Sequence, residues 1–78
     1  MPNRSSLVGK QVIMKISGAT PVAAKVVAVD NDGFWFSGKE LIDALLAKRG
    51  APSYLKTPAI YVPISHLDWI VAAVEDLQ

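Results

Sequence analysis

The stretch "DNDGFWF", Asp30 to Phe36, carries a turn signal straight into three aromatic residues, and its reading decides the fold. Asn and Asp tolerate left-handed backbone and Gly takes it without steric cost, so Asp30-Asn31-Asp32-Gly33 predicts a tight turn. Phe34, Trp35 and Phe36, half of the chain's aromatic residues, then predict a short strand. Successive side chains of a strand point to opposite faces, so Phe34 and Phe36 share one face and Trp35 takes the other. The expectation is that the two phenylalanines fill a core while Trp35 packs under a helix or against a neighbouring subunit. The competing reading is base stacking, where each stacked base is worth about 1 to 3 kcal/mol.

Upstream of the turn lie two alternating runs. Between Lys10 and Ile16, Val12, Met14 and Ile16 share a face, which predicts a half-buried strand. "SGATP" (17–21) clusters turn formers. Val22 to Asp30 predicts a second strand, with Val27 and Val29 on one face and Val22, Val26 and two alanines on the other.

Downstream, Ser37-Gly-Lys-Glu40 has the capping-box pattern of a helix start. Leu41 with Leu45 and Ile42 with Leu46 make one apolar stripe, Lys48 and Arg49 suit the last turn, and Gly50 supplies the stop. "APSYLKTP" reads as a loop. Ala59 to Ile64 predicts a fourth strand whose Ile60, Val62 and Ile64 share a face, with Pro63 at a strand end or edge. The tail, "SHLDWIVAAVEDLQ", is ambiguous. Ser65-x-x-Asp68 is a second capping-box pattern and Leu67, Ile70, Val71, Val74 and Leu77 fit helical spacing, yet Trp69, Ile70 and Val71 are a strand-like run.

The totals bound the function classes. The chain's 78 residues make one domain, 1–78, small enough that its own core gives marginal stability. There is no cysteine, and His66 is the single histidine, so disulfides and Cys- or His-rich metal sites are excluded. An apolar fraction of 51% and a positive mean hydropathy exceed what so small a core hides, which points to burial against another subunit. A net charge of +1 is far from the strongly basic balance of a dedicated nucleic-acid binder, so phosphate contacts would have to be local. No window approaches the roughly 18 apolar residues of a membrane span, and "MPNRSSLVGK" has no apolar run of secretory length, so the expected setting is cytoplasmic.

Two segments together resemble the Sm-like family of RNA-associated proteins. "LVGKQVIMKISGATPVAAKVVAVDNDGFWF" (7–36) is similar to the family's first motif, in which a polar turn joins two strands and the second ends in an aspartate, here Asp30. "AIYVPISHLDWIV" (59–71) is similar to the second, an apolar strand, a one-turn corner and a last strand. The resemblance implies a mainly β fold: a small five-stranded, strongly bent antiparallel barrel of Sm-like or SH3-like type, with one α-helix inserted between strands 3 and 4 at about 38–50. It makes Ser65 to Leu67 a short turn and Asp68 to Val74 the fifth strand, and implies a ring of identical subunits paired edge to edge. The chain departs from the family where a base-holding asparagine would stand, at Gly33 or Phe34, and where the second motif carries Arg-Gly or Lys-His, here Val62-Pro63.

The candidate site residues follow from these readings. Lys48, Arg49, Tyr54 and Lys56 are the local basic and aromatic grouping that would meet phosphates and bases, with Asp30, Trp35 and His66 as further candidates for single-stranded RNA. The alternative is a scaffold that binds another protein or an apolar ligand through Leu41, Leu45, Tyr54 and Trp69. Asp30 and Asp32 lack the third oxygen ligand and the terminal glutamate of an EF-hand loop, so no metal is expected, and Asp30 should accept backbone hydrogen bonds across its own turn. Ser65, His66 and Asp68 are too close in sequence to align as a hydrolase triad. The expected act is binding, with no cofactor, no catalysis and no membrane partner.

Overall fold

The computed structural model describes residues 4–45 and 58–77. After a 3-10 turn at Arg4–Leu7 come three strands, β1 (Gln11–Ile16), β2 (Val22–Val29) and β3 (Gly33–Ser37), and a short helix, α1 (Lys39–Leu45). Then follow β4 (Ile60–Pro63), a 3-10 turn at Ile64–His66, β5 (Leu67–Val71) and a last 3-10 turn at Val74–Leu77. The strands form one antiparallel sheet in the order β4-β3-β2-β1-β5. β1 to β4 therefore run as a meander and β5 returns to pair with β1. No described helix is long and apolar enough to cross a membrane.

Alternation explains which face is buried. Val12 and Met14 of β1, Val22, Ala24 and Val26 of β2, Phe34 and Phe36 of β3 and Val62 of β4 point to one side. This inner face is closed by Leu41 of α1 and by Leu7. Phe34 and Phe36 stack with ring centroids 5.6 Å apart and planes 18° from parallel. Phe36 and Met14 are fully buried, and each such side chain contributes about 1.5 to 3 kcal/mol through its removal from water. The aromatic run is therefore core at its two phenylalanines.

Two bulges interrupt the alternation. In β2, Val26 opposes Phe36 but Ala28 opposes Trp35, leaving Val27 as an extra residue. Val27 and Ala28 both face out, and Val29 returns to the core. The expected shared face of Val27 and Val29 is corrected by that inserted residue. In β5, Leu67 opposes Ile16 while Trp69 opposes Lys15, so Asp68 is the extra residue. Leu67 and Ile70 thus pack against the core while Trp69 stays outside.

Other expectations are also corrected. The fifth strand starts at Leu67 and ends at Val71, and Val74 already belongs to a 3-10 turn. Ile64 lies past the end of β4, in the 3-10 turn, and is exposed rather than sharing a face with Val62. Leu45 is exposed, so the helix buries Leu41 and Ile42 alone among its described apolar residues. Glu40 does not complete a capping box. Its Oε2 accepts the Ala23 N–H at 2.9 Å, a β2 donor lying beyond the end of β3. The helix starts from Gly38, whose carbonyl accepts the Ile42 N–H at 3.0 Å.

Candidate functional site

The side chains of the turn and of the strands on either side of it meet at the β3–β4 end of the sheet. Asp30 follows β2, and its Oδ1 accepts the backbone N–H of Asp32 at 2.9 Å and of Gly33 at 2.8 Å. The Asp30 N–H donates to the Gly33 carbonyl at 3.0 Å, so the turn is closed from both sides. This is the Asx geometry expected of a turn aspartate. Gly33 has a different role from the expected one. Its backbone is not left-handed; instead, a Cβ there would lie 2.5 Å from the Val62 carbonyl oxygen and 2.8 Å from the Tyr61 hydroxyl. Glycine is required because β4 approaches it closely.

Tyr61 joins the turn to Trp35. The register pairs Trp35 with Tyr61 across β3 and β4 on the outer face. Their ring centroids are 5.2 Å apart with planes at 52°. The Tyr61 hydroxyl donates to Asp30 Oδ1 at 3.1 Å. Loss of hydration, the hydrogen bond to Asp30 and the negative charges of Asp30 and Asp32, in that order, hold the Tyr61 phenol above its ordinary value. Trp35 is 41% exposed.

A second apolar surface lies at the β1–β5 end. Ile13 opposes Val71 and Lys15 opposes Trp69, so these side chains share the outer face. Trp69 is 42% exposed, and Ile13 and Val71 are exposed as well. Beside them an open, largely apolar groove of about 370 Å³ is lined by Gln11, Ile13, Ala23, Val71 and Ala73 among others. Lys15 Nζ lies 2.5 Å from Asp68 Oδ2, so the charge next to Trp69 is paired.

Among the sequence-predicted site residues, Asp30 and Trp35 are brought to the same end, linked through Tyr61, which the sequence reading did not single out. Alternation gives its face, since Ile60 and Val62 take the inner one, but its place opposite Trp35 is set by the β3–β4 register. His66 is at the far end of the 3-10 turn, with an exposed side chain and a carbonyl that accepts the Ser17 N–H at 2.8 Å. It is thus separated from the Asp30–Trp35 grouping by the 3-10 turn, and Asp68 is bonded to Lys15. Lys48, Arg49, Tyr54 and Lys56, and with them the predicted helix end at Gly50, lie outside the described residues. No family model, no curated protein and no solved structure matches this chain.

Proposed function

We propose that this protein is a non-catalytic, Sm-like binding module that assembles into a homo-oligomeric ring, the β4 edge of one copy pairing with the β5 edge of the next. The observation that carries the reading is the pair of open edges: among the described residues neither β4 nor β5 has a strand on its outer side. Such edges present unpaired backbone donors and acceptors, and head-to-tail pairing of identical subunits satisfies them all at once when the ring closes. Exposed Trp69, Val71 and Ile13 beside the β5 edge add surface for the same contact.

A strongly bent, barrel-like sheet is part of this proposal. It is supported by the connection between β4 and β5, which are opposite edges of the sheet yet are joined by a 3-10 turn of only three residues. Four strand spacings of a flat sheet span roughly 19 Å. Three 3-10 residues rise only about 6 Å. A sheet rolled so that its edges approach each other reconciles the two lengths.

Two ligand classes follow from the module reading. Single-stranded RNA is the class that the family resemblance implies, contacted through Lys48, Arg49, Tyr54 and Lys56. A protein partner is favoured by the described surface, where Trp35 stands beside carboxylates that repel phosphate. The test is absolute mass by light scattering during size exclusion, with the 260 to 280 nm absorbance ratio read across the same peak. A mass of several subunits that falls to one in Val71→Lys, which places a charge on the β5 edge, supports the ring; a monomeric parent protein overturns it. A raised ratio favours RNA and a clean protein ratio favours the protein partner.

A further inference from the structure

We propose that the Trp35–Tyr61 surface, with Asp30 and Asp32 at its border, binds the guanidinium group of an arginine presented by another protein. The surface belongs to a single chain and does not depend on ring assembly, so it stands or falls separately from the ring.

Three observations lead to a cation. A half-exposed indole on the rim of a small sheet offers the negative face of its π-system, which attracts a cation lying above it. Asp30 Oδ1 accepts the Tyr61 hydroxyl at 3.1 Å and Asp32 lies in the same turn, so two carboxylates border the ring pair. Among the described residues no cation rests on either ring: Lys15, Lys39 and Lys10 are paired with Asp68, Asp43 and Asp76, and Lys25 on β2 stands opposite Ser37.

The ring geometry selects arginine among cations. With centroids 5.2 Å apart the rings touch, leaving no gap between them in which a rounded ammonium could be caged. What remains open is part of the flat indole, Trp35 being 41% exposed. A planar, weakly hydrated guanidinium stacks on such a face and still directs its N–H fork sideways toward carboxylates, whereas a compact ammonium is strongly hydrated and has no plane to stack. Charge also argues against a nucleic acid here, since its phosphates would approach two aspartates.

The experiment is an NMR titration of the full chain with the blocked tripeptide Gly-Arg-Gly. The same peptide carrying citrulline, which keeps the shape and removes the charge, serves as the comparison. The expected result is saturable movement of the Trp35 indole N–H and the Tyr61 amide with arginine, and little with citrulline. Asp32→Asn should weaken the arginine response about five- to tenfold, and added salt should weaken it further. Trp35→Leu should remove the Tyr61 response while the Met14 amide, in the core on β1, keeps its position. Equal responses to arginine and citrulline, no saturation, or movement of the Trp35 indole by a uridine oligonucleotide would each overturn the proposal. Should a variant fail to fold, the arginine and citrulline comparison on the unaltered protein still decides.

Discussion

At the β3–β4 end Trp35, turned outward by plain alternation between Phe34 and Phe36, lies on Tyr61 beside Asp30 and Asp32; at the β1–β5 end a bulge at Asp68 turns Trp69 outward, near Val71 and Lys15. The backbone reaches the same outcome by two routes. Regular alternation suffices for Trp35, whereas at Asp68 an extra residue breaks the period of two and the residue after it points outward with the bulged one. The charge around the indole differs as well. Asp68 cancels Lys15 and leaves Trp69 on a neutral apolar surface, whereas Trp35 has two aspartates in its turn. Two outward indoles of similar exposure thus stand in different electrostatic surroundings.

Gly33→Ala should have the largest effect, and it acts at one end. The added methyl would press on the Val62 carbonyl from 2.5 Å and force β4 away from β3, at a cost of about 3 kcal/mol. Urea denaturation measures the loss, and hydrogen exchange localises it. Amides of β4 should lose protection well before those of β5; equal loss at both ends would mean that the ends are not separable.

Next in size is Asp30→Ala, which leaves two turn N–H groups and the Tyr61 hydroxyl without their shared acceptor, at about 2 kcal/mol. Denaturation midpoints at neutral pH check it. A subtler effect concerns alkaline pH. Because the Tyr61 value is raised on folding, its contribution to stability is complete below the ordinary tyrosine value of 10.0 and disappears as pH rises through the folded value. Stability should therefore fall with pH in that window, and less steeply in Asp30→Ala. Ultraviolet titration of the phenol should show the variant shifted part of the way back, since the loss of hydration remains.

The smallest effect belongs to the other end. A double-mutant cycle on Lys15 and Asp68 should give about 0.5 kcal/mol, shrinking in salt, because both side chains are partly in water. A coupling several times larger would make the β1–β5 end as electrostatic as its counterpart, and the contrast between them would fail.

Much of the sheet was legible because alternation is a strong local signal. Val12 with Met14, and Phe34 with Phe36, face the core as their spacing requires. Alternation cannot announce a bulge, so Val29 takes the face opposite to the one its spacing from Val27 predicts; the predicted start of β5 at Asp68, one residue late, comes from the family resemblance instead. Glu40 followed a helix-capping pattern in sequence, but an unpaired donor on β2 competes for its carboxylate, and that donor is visible only once β3 is seen to stop at Ser37. Of the site, Asp30 was legible as a turn acceptor. Tyr61 was not, because its partnership with Trp35 depends on the register between two strands separated by the helix and the loop.

The return of β5 to β1 has a consequence for the order of folding. β1 to β3 are linked by short turns, so their ladders close small loops, but Ile13 must find Val71 across nearly the whole chain. Closing that loop costs entropy before any contact offsets it, which makes the β1–β5 ladder the last to form. Until it forms, β1 is itself a bare edge, and the strand that fits it best is β5, whether from its own chain or from a neighbour's. At high concentration the refolding protein should therefore exchange β5 between copies, and a slow phase in Trp69 emission that depends on protein concentration is the sign to look for.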